Sequence, residues 1–165
     1  MSFEIHPNLR AGGVETIPYL ESLGYSDVPQ LYEGIRQHAR EVGITIGEVP
    51  RKYNTHLSLL LTEYAKDQGK VIEYNQAIFR AFWTNGRDIS DPAVLEEIMK
   101  TIDLDFTVAL AGVKNGDYER RFAEERELAS RLGITAVPAF IIDDKYLISG
   151  AQPVEVFRQA LQENE

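Results

Sequence analysis

The sequence predicts an α/β fold in which a long run of helices interrupts a small β frame. Between residues 26 and 133, apolar residues recur at helical spacing in one segment after another. After Gly133 the apolar period changes from about 3.6 to about 2 residues, and two short β-rich segments follow. The helical run, residues 26–133, is therefore interpreted as an insertion within one frame that consists of residues 1–25 and 134–165.

The N-terminal part of the frame is predicted to begin with a short strand. Ser2–His6 places Phe3 and Ile5 in alternation with polar residues, and the pattern stops at Pro7. The segment from residue 7 to residue 25 is predicted to be a loop, because it contains several residues that break regular structure: Gly12, Gly13, Pro18 and Gly24.

Each helix of the insertion is predicted from its own start and stop residues. Asp27 is the candidate N-cap of the first helix, and Gly43 is its candidate end. The buried face predicted for this helix contains Leu31, Ile35, His38 or Ala39, and Val42. The further helices are predicted from Asn54 or Thr55 to Gly69, from Lys70 to Asn85, from Asp91 onwards, from Asp103 or Asp105 onwards, and from Asp117 to Gly133.

The C-terminal part of the frame is predicted to be a β-hairpin followed by a helix. The strands are Ile134–Ile142 and Tyr146–Gly150, and the pair Asp143-Asp144 joins them. Pro153 occupies a position typical of the first residue of a helix. The apolar residues of that last helix are Val154, Phe157, Ala160 and Leu161.

The composition excludes several classes of protein. The chain has 165 residues, with 17 Lys and Arg against 26 Asp and Glu, a formal net charge of −9 and no Cys. Because the basic residues are interspersed with acidic ones, nucleic acid is not an expected partner. Without Cys the chain forms no thiolate metal site and no disulfide. No membrane span and no targeting segment is expected either, so the cytoplasm is the predicted location.

Two motifs near the C-terminus resemble those of DsbA-like thioredoxin-fold proteins of the FrnE type. Gly133–Pro138 is similar to the family's Gly-Val-x-x-Val-Pro strand, and Ser149–Pro153 is similar to the Ser-Gly-Ala-Gln-Pro sequence before its last helix. Phe3–Pro7 resembles the family's second strand. The helical part also fits, at residues 54–55, 68–70, 81–83 and 86–91, so the resemblance covers nearly the whole chain.

The resemblance implies a thioredoxin-like sheet with a large helical insertion, lacking the family's first strand and first helix. In that family the first strand leads into a Cys-x-x-Cys loop, which has no counterpart in this sequence. The chain is therefore expected to be a catalytically incomplete member of a thiol–disulfide oxidoreductase family, without catalytic residues of its own. The strand at Ala139–Ile142 is expected to have an open edge, and a homodimer is predicted to cover it.

The resemblance also implies a ligand site around Val137-Pro138. In the family this proline is cis and presents the preceding backbone to an extended peptide or to glutathione. Across the cleft, Asn54 and Trp83 are predicted to line the same site. No metal site is expected, because the three histidines are far apart in the sequence, and structural roles are favoured for them: His6, His38 and His56.

Two other functions stay open on the sequence alone. The chain could be a relative of the 2-hydroxychromene-2-carboxylate isomerases and kappa-type glutathione transferases, which share the fold and use a serine in the first loop. It could also be a binding or assembly module without catalysis. A strand followed by Cys-x-x-Cys, or by a serine, encoded just upstream of Met1 would separate the oxidoreductase from the isomerase.

Overall fold

The computed structural model describes residues 2–10 and 12–162, which form a mixed α/β protein. Helices dominate, and the strands are short. In chain order the elements are β1 (Val14–Glu15), α1 (Thr16–Ser22), α2 (Val28–Glu41), β2 (Arg51–Lys52), α3 (His56–Asp67), α4 (Val71–Phe79), α5 (Pro92–Lys100), α6 (Phe106–Lys114), α7 (Asp117–Arg131), β3 (Ala139–Ile142), β4 (Tyr146–Ser149) and α8 (Val154–Gln162).

The main hydrophobic core lies among helices α3 to α7. Its fully buried side chains include Leu61 of α3, Leu95 and Met99 of α5, and Phe122 of α7. Tyr74 of α4 is also fully buried, and its hydroxyl donates a hydrogen bond to the Ser58 carbonyl at 3.0 Å. Burial raises the pKa of Tyr74, so at neutral pH this phenol is protonated and donates the bond.

Several helix boundaries predicted from capping residues are confirmed. The Asp27 side chain accepts a hydrogen bond from the Gln30 N–H at the start of α2. Asp91 caps α5 through the Ala93 N–H, with Pro92 as the first helical residue. Asp105 caps α6 through the Val108 N–H. In each case a short carboxylate satisfies an N–H that the first turn leaves without a partner.

The predicted buried face of α2 is wrong in its orientation. Leu31, Ile35 and Val42 are 41%, 37% and 71% exposed. The buried residues of α2 are Val28, Tyr32 and Ala39. Of these, the predicted face contained only Ala39, which it gave as an alternative to His38. The helix presents this face because Val28 and Tyr32 pack with Leu20 of α1 and Val49 in a small second core.

The structure of the N-terminal part differs from the prediction. Ser2–His6 is not a strand, because it lies against α3 and α7 and bonds to their side chains. The segment predicted as a loop contains β1, which pairs antiparallel with β2, and α1. Pro18 does not prevent α1, because it is the third helical residue, where no N–H partner is required.

The helix predicted from Lys70 to Asn85 changes its geometry partway. Regular α-helix ends at Phe79, and a π-helical turn, Arg80–Thr84, continues it. Such turns are rare in proteins, and those that do occur are often found at functional sites. This one places Phe82 and Trp83 side by side, with ring centroids 5.0 Å apart.

The C-terminal β-hairpin is confirmed, although its first strand is shorter than predicted. β3 begins at Ala139 and pairs with β4 in the register Ala139↔Ser149 and Ile142↔Tyr146. Asp143 and Asp144 both have positive φ, 50° and 56°, as the tight turn requires. Within the described ranges, β3–β4 and β1–β2 are separate two-stranded sheets.

Candidate functional site

A cavity of about 480 Å³ lies between the N-terminal segment, β2, helices α3 and α4, and the turn before β3. The N-terminal segment contributes His6, β2 contributes Lys52, and the π-helical turn contributes Trp83. Val137 reaches the same cavity from the opposite end of the sequence. The cavity therefore joins the helical insertion to the C-terminal frame, and its size suits a small organic ligand or a short peptide.

The aromatic rings of Phe82 and Trp83 line this cavity, and together with Tyr32 of α2, which is outside the cavity wall, they lie around the Lys52 ammonium. The Lys52 Nζ lies 5.5 Å from the ring centroid of Trp83, 5.6 Å from that of Tyr32 and 6.0 Å from that of Phe82. The rings also contact one another, with Tyr32 and Trp83 centroids 6.4 Å apart. Each ring face attracts the ammonium at these distances, so the rings hold the end of this side chain in place.

His6 is close to Lys52 and is held by Tyr19. The Tyr19 hydroxyl and His6 Nδ1 are 3.2 Å apart, and the two rings meet edge to face at 5.2 Å. Burial, together with the positive charge of Lys52, lowers the pKa of His6 below its ordinary value of 6.5. At neutral pH the uncharged form of His6 therefore predominates.

The N-terminal segment reaches the cavity because two polar contacts fix it to the helices. The Ser2 backbone N–H donates to Glu125 Oε2 at 2.6 Å, and Glu125 Oε1 accepts from the Lys66 ammonium at 2.7 Å. His56 lies between two carboxylates, with its Nδ1 3.4 Å from Glu4 and its Nε2 3.0 Å from Glu119. These contacts replace the strand pairing that the sequence predicted for the same residues.

Two of the predicted site residues line the cavity and two do not. Val137 and Trp83 are both in its wall. The Val137-Pro138 bond is cis, as predicted, but Pro138 itself is exposed and outside the wall. Asn54 has a different position: its amide donates to the Leu9 carbonyl and its Oδ1 accepts from the His56 N–H, both at 2.9 Å. Asn54 thus fixes the N-terminal segment to the start of α3, and the binding roles of all these residues stay predictions.

Sequence reasoning missed Lys52 and assigned only a structural role to His6. Lys52 lies between Pro50 and Asn54, in a segment without helical or strand periodicity. Its ring partners come from α2, 20 residues before it, and from the π-helical turn, about 30 residues after it. The one local signal is a lysine beside Tyr53, and such a pair is common in loops that bind nothing.

Two absences apply to residues 2–10 and 12–162. No group of three or more His, Cys, Asp or Glu side chains is arranged to hold a metal ion within these ranges. None of the helices there combines the length and apolar character needed to cross a membrane.

The chain belongs to the family of DSBA-like thioredoxin domains, whose sequence model matches residues 2–162. This match confirms the predicted fold class, a DsbA-like thioredoxin fold with a helical insertion, and the wider assignment to a family of thioredoxin-fold oxidoreductases. The narrower FrnE-type assignment stays a prediction, as do the domain boundaries at residues 25 and 133.

Three bacterial proteins are similar to this chain. YwbO of Bacillus subtilis is 28% identical over 172 residues, a match that spans 100% of this chain and 80% of YwbO. The structure of a probable DsbA oxidoreductase from Streptomyces coelicolor aligns with a TM-score of 0.81 and 29% identity, over 98% of this chain and 72% of that one. The cytosolic disulfide reductase DsbM from Pseudomonas aeruginosa, solved with GSH, aligns with a TM-score of 0.54 and 20% identity, over 70% of this chain and 62% of that one, which shows a shared fold.

The contact between Glu125 and the N-terminal segment predicts a pH-dependent stability. Burial alone raises the pKa of Glu125, but the hydrogen bonds from Lys66 and from the Ser2 N–H outweigh it and bring the pKa below the ordinary 4.5. We expect Glu125→Gln to lower the free energy of unfolding by about 1 to 3 kcal/mol at neutral pH. The difference from the unchanged chain should shrink as the pH falls below 4.5 through the lowered pKa, because both states then bind the proton.

Urea unfolding at a series of pH values measures this difference. The matched control is Glu124→Gln on the same helix, whose side chain is 64% exposed and reaches Arg120 only at 3.8 Å. We expect this control to change stability by less than about 0.5 kcal/mol at every pH. Equal effects of the two substitutions would contradict the role given to Glu125.

Proposed function

We propose that this chain is a DsbA-like domain that binds glutathione or an extended thiol-containing peptide, and that it carries out no thiol–disulfide exchange by itself. The single observation that carries the proposal is that Val137, next to the cis bond to Pro138, lines the same cavity as Trp83. For its location we propose the cytoplasm, in keeping with DsbM, a cytosolic disulfide reductase that shares the fold.

The backbone at Val137 supports binding of an extended ligand. The Pro138 carbonyl is used within the hairpin, where it accepts a hydrogen bond from the Gly150 N–H at 2.8 Å. Within the described ranges, the Val137 N–H and carbonyl make no hydrogen bond to another part of the chain. Its side chain is 42% exposed. An extended peptide can therefore pair with this residue by main-chain hydrogen bonds, as a strand added to a sheet edge does.

The absence of Cys supports the second half of the proposal. Thiol–disulfide exchange requires a thiolate that attacks a disulfide sulfur, and this chain has no Cys to provide it. The polar side chains that line the cavity carry hydroxyls, an imidazole, a carboxamide, an indole N–H and ammonium groups, and none of these replaces a thiolate in the exchange.

An insulin-reduction assay with dithiothreitol tests this prediction. We expect the chain to give the rate of the buffer blank, because no protein thiol takes part. A Cys-x-x-Cys thioredoxin assayed beside it shows that the conditions support turnover. A rate above the blank that grows with the concentration of the chain would overturn the proposal.

An NMR titration of the ¹⁵N-labelled chain with reduced glutathione tests ligand binding. We expect shifts at Val137 and Trp83 with a Kd in the millimolar range, about −4 kcal/mol. Trp83→Leu should weaken binding at least about threefold, because it removes a wall of the cavity. The control is Tyr25→Leu, since Tyr25 is exposed and lies outside this cavity. No shift around Val137 at about 10 mM glutathione would refute the binding role.

We propose in addition that two copies of the chain associate through the C-terminal hairpin and α8. Phe140 of β3 and Leu147 of β4 are 42% and 43% exposed, and Val154 and Leu161 of α8 are 54% and 57% exposed. In the described part of the chain the outer edge of β3 has no partner strand. An open edge beside exposed apolar side chains is a template for a second chain, and symmetric dimers are the commonest assembly.

Light scattering coupled to size exclusion measures this association. We expect a mass near twice 18.7 kDa at micromolar concentration. Leu147→Lys should shift the dimer toward monomer, because it places a charge in the predicted contact. The matched control is Leu23→Lys, a leucine of similar exposure at the end of α1. A monomer at all concentrations, or equal effects of both substitutions, would contradict the dimer.

A further inference from the structure

The charge of the cavity that contains Val137 is opposite to that of the chain. The chain carries 26 Asp and Glu against 17 Lys and Arg, yet no Asp or Glu is among the described residues that line this cavity. Its ionisable lining groups are His6, Lys52, Lys66 and tyrosines. A site that excludes acids in an acidic protein is complementary to an anionic ligand.

A second cavity of the protein has acidic as well as basic residues in its lining. It measures about 630 Å³ and lies between α1, α2 and the segment before β2. There Glu15 and Glu48 accompany Arg36 and Arg51, so its formal charges balance. The excess of positive charge is therefore a property of the cavity at Val137.

The two lysines of that cavity differ in their partners. The Lys66 ammonium is 2.5 Å from a Glu63 oxygen and 2.7 Å from a Glu125 oxygen, so its charge is compensated. The Lys52 ammonium, within the part of the chain that the structure describes, has neither an ion pair nor a hydrogen bond, and contacts ring faces instead. Among the described residues that line this cavity, Lys52 is thus the positive charge without a carboxylate partner.

We infer that Lys52 is the anion-binding group of the cavity, and that the ligand is a small thiol or peptide that brings a free carboxylate to it. This inference rests on the proposed function, since it requires that the cavity binds a ligand. The rings of Tyr32, Phe82 and Trp83 hold the ammonium in position before the ligand arrives. A carboxylate that reaches it forms a charge-assisted hydrogen bond, which is stronger than a neutral one.

His6 supports the assignment to Lys52. The pKa of His6 is lowered, first by burial and then by Lys52, so the neutral imidazole predominates at neutral pH. Attraction of an anion then comes from Lys52, and the neutral ring contributes at most a hydrogen bond. Lys52 thus provides a positive charge and His6 a neutral hydrogen-bonding group, a combination that suits a single carboxylate.

The test compares two ligands on the unchanged chain. Reduced glutathione has free carboxylates, and glutathione diethyl ester has none but retains the thiol and both peptide bonds. Titrations followed by NMR should show the ester binding about tenfold more weakly, a difference of about 1.4 kcal/mol. This comparison needs no variant and is independent of any effect on folding.

Variants of Lys52 then assign the difference to one side chain. Lys52→Met keeps the length of the aliphatic part, and it should weaken glutathione binding about tenfold while leaving the ester unchanged. Lys52→Arg should retain most of the preference for glutathione, because it retains the charge. Lys145→Gln, in the hairpin turn, changes the net charge by the same amount as Lys52→Met and should change neither affinity.

The possible results separate this inference from the proposed function. If neither ligand binds the unchanged chain, both the proposed function and the inference are overturned. If glutathione and its ester bind equally, the proposed function stands and the inference fails. The inference also fails if Lys52→Met weakens both ligands by the same factor, because Lys52 then serves only to arrange the rings.

Discussion

The burial of α3 on nearly all its sides is the constraint on which the rest of the molecule depends. Leu60, Leu61 and Ala65 fill the core, but the same helix also buries the polar side chains of Ser58 and Glu63. A polar group removed from water costs free energy unless it is bonded, so each buried group fixes a neighbour. Ser58 donates to the Thr55 carbonyl, and Glu63 binds Lys66. Lys66 in turn holds Glu125, which anchors Ser2 at the edge of the cavity.

This chain of contacts explains why the cavity has its shape. The N-terminal segment lies over α3 and α7 because its Ser2 N–H finds a carboxylate there. His6 is thereby brought to the side of the cavity that Lys52 reaches from β2. The π-helical turn after α4 adds Phe82 and Trp83 in contact with each other. A continuous α-helix would separate successive side chains by about 100° around its axis.

The sequence predicted the parts of the fold that local chemistry determines. Asp27, Asp91 and Asp105 each accept a hydrogen bond from an N–H of their own helix. The start of each helix could therefore be predicted without knowledge of the elements that pack against it. The hairpin could be predicted for the same reason, since three residues, Asp143–Lys145, join β3 to β4. The buried face of α2 could not be predicted, because it depends on packing with Leu20 and Val49, which periodicity does not reveal. The prediction of an N-terminal strand was wrong for a similar reason. Polar contacts with distant helices, and not pairing with another strand, hold these residues.

The candidate site was predictable only where a motif is continuous in the sequence. Val137-Pro138 belongs to such a motif, and its cis bond is confirmed. Lys52 belongs to no such motif. Two features distinguish it: within residues 2–10 and 12–162 its ammonium forms no ion pair, and it lies near rings from α2 and the π-helical turn. The cis bond thus lies in one continuous segment before β3, whereas the charge of the cavity arises from the particular side chains that tertiary packing brings together. The charge of the cavity comes from Lys52 of β2, beside His6 of the N-terminal segment, and both are far from the Val137-Pro138 turn in the sequence. The turn by itself therefore does not determine which ligand charge the cavity accepts.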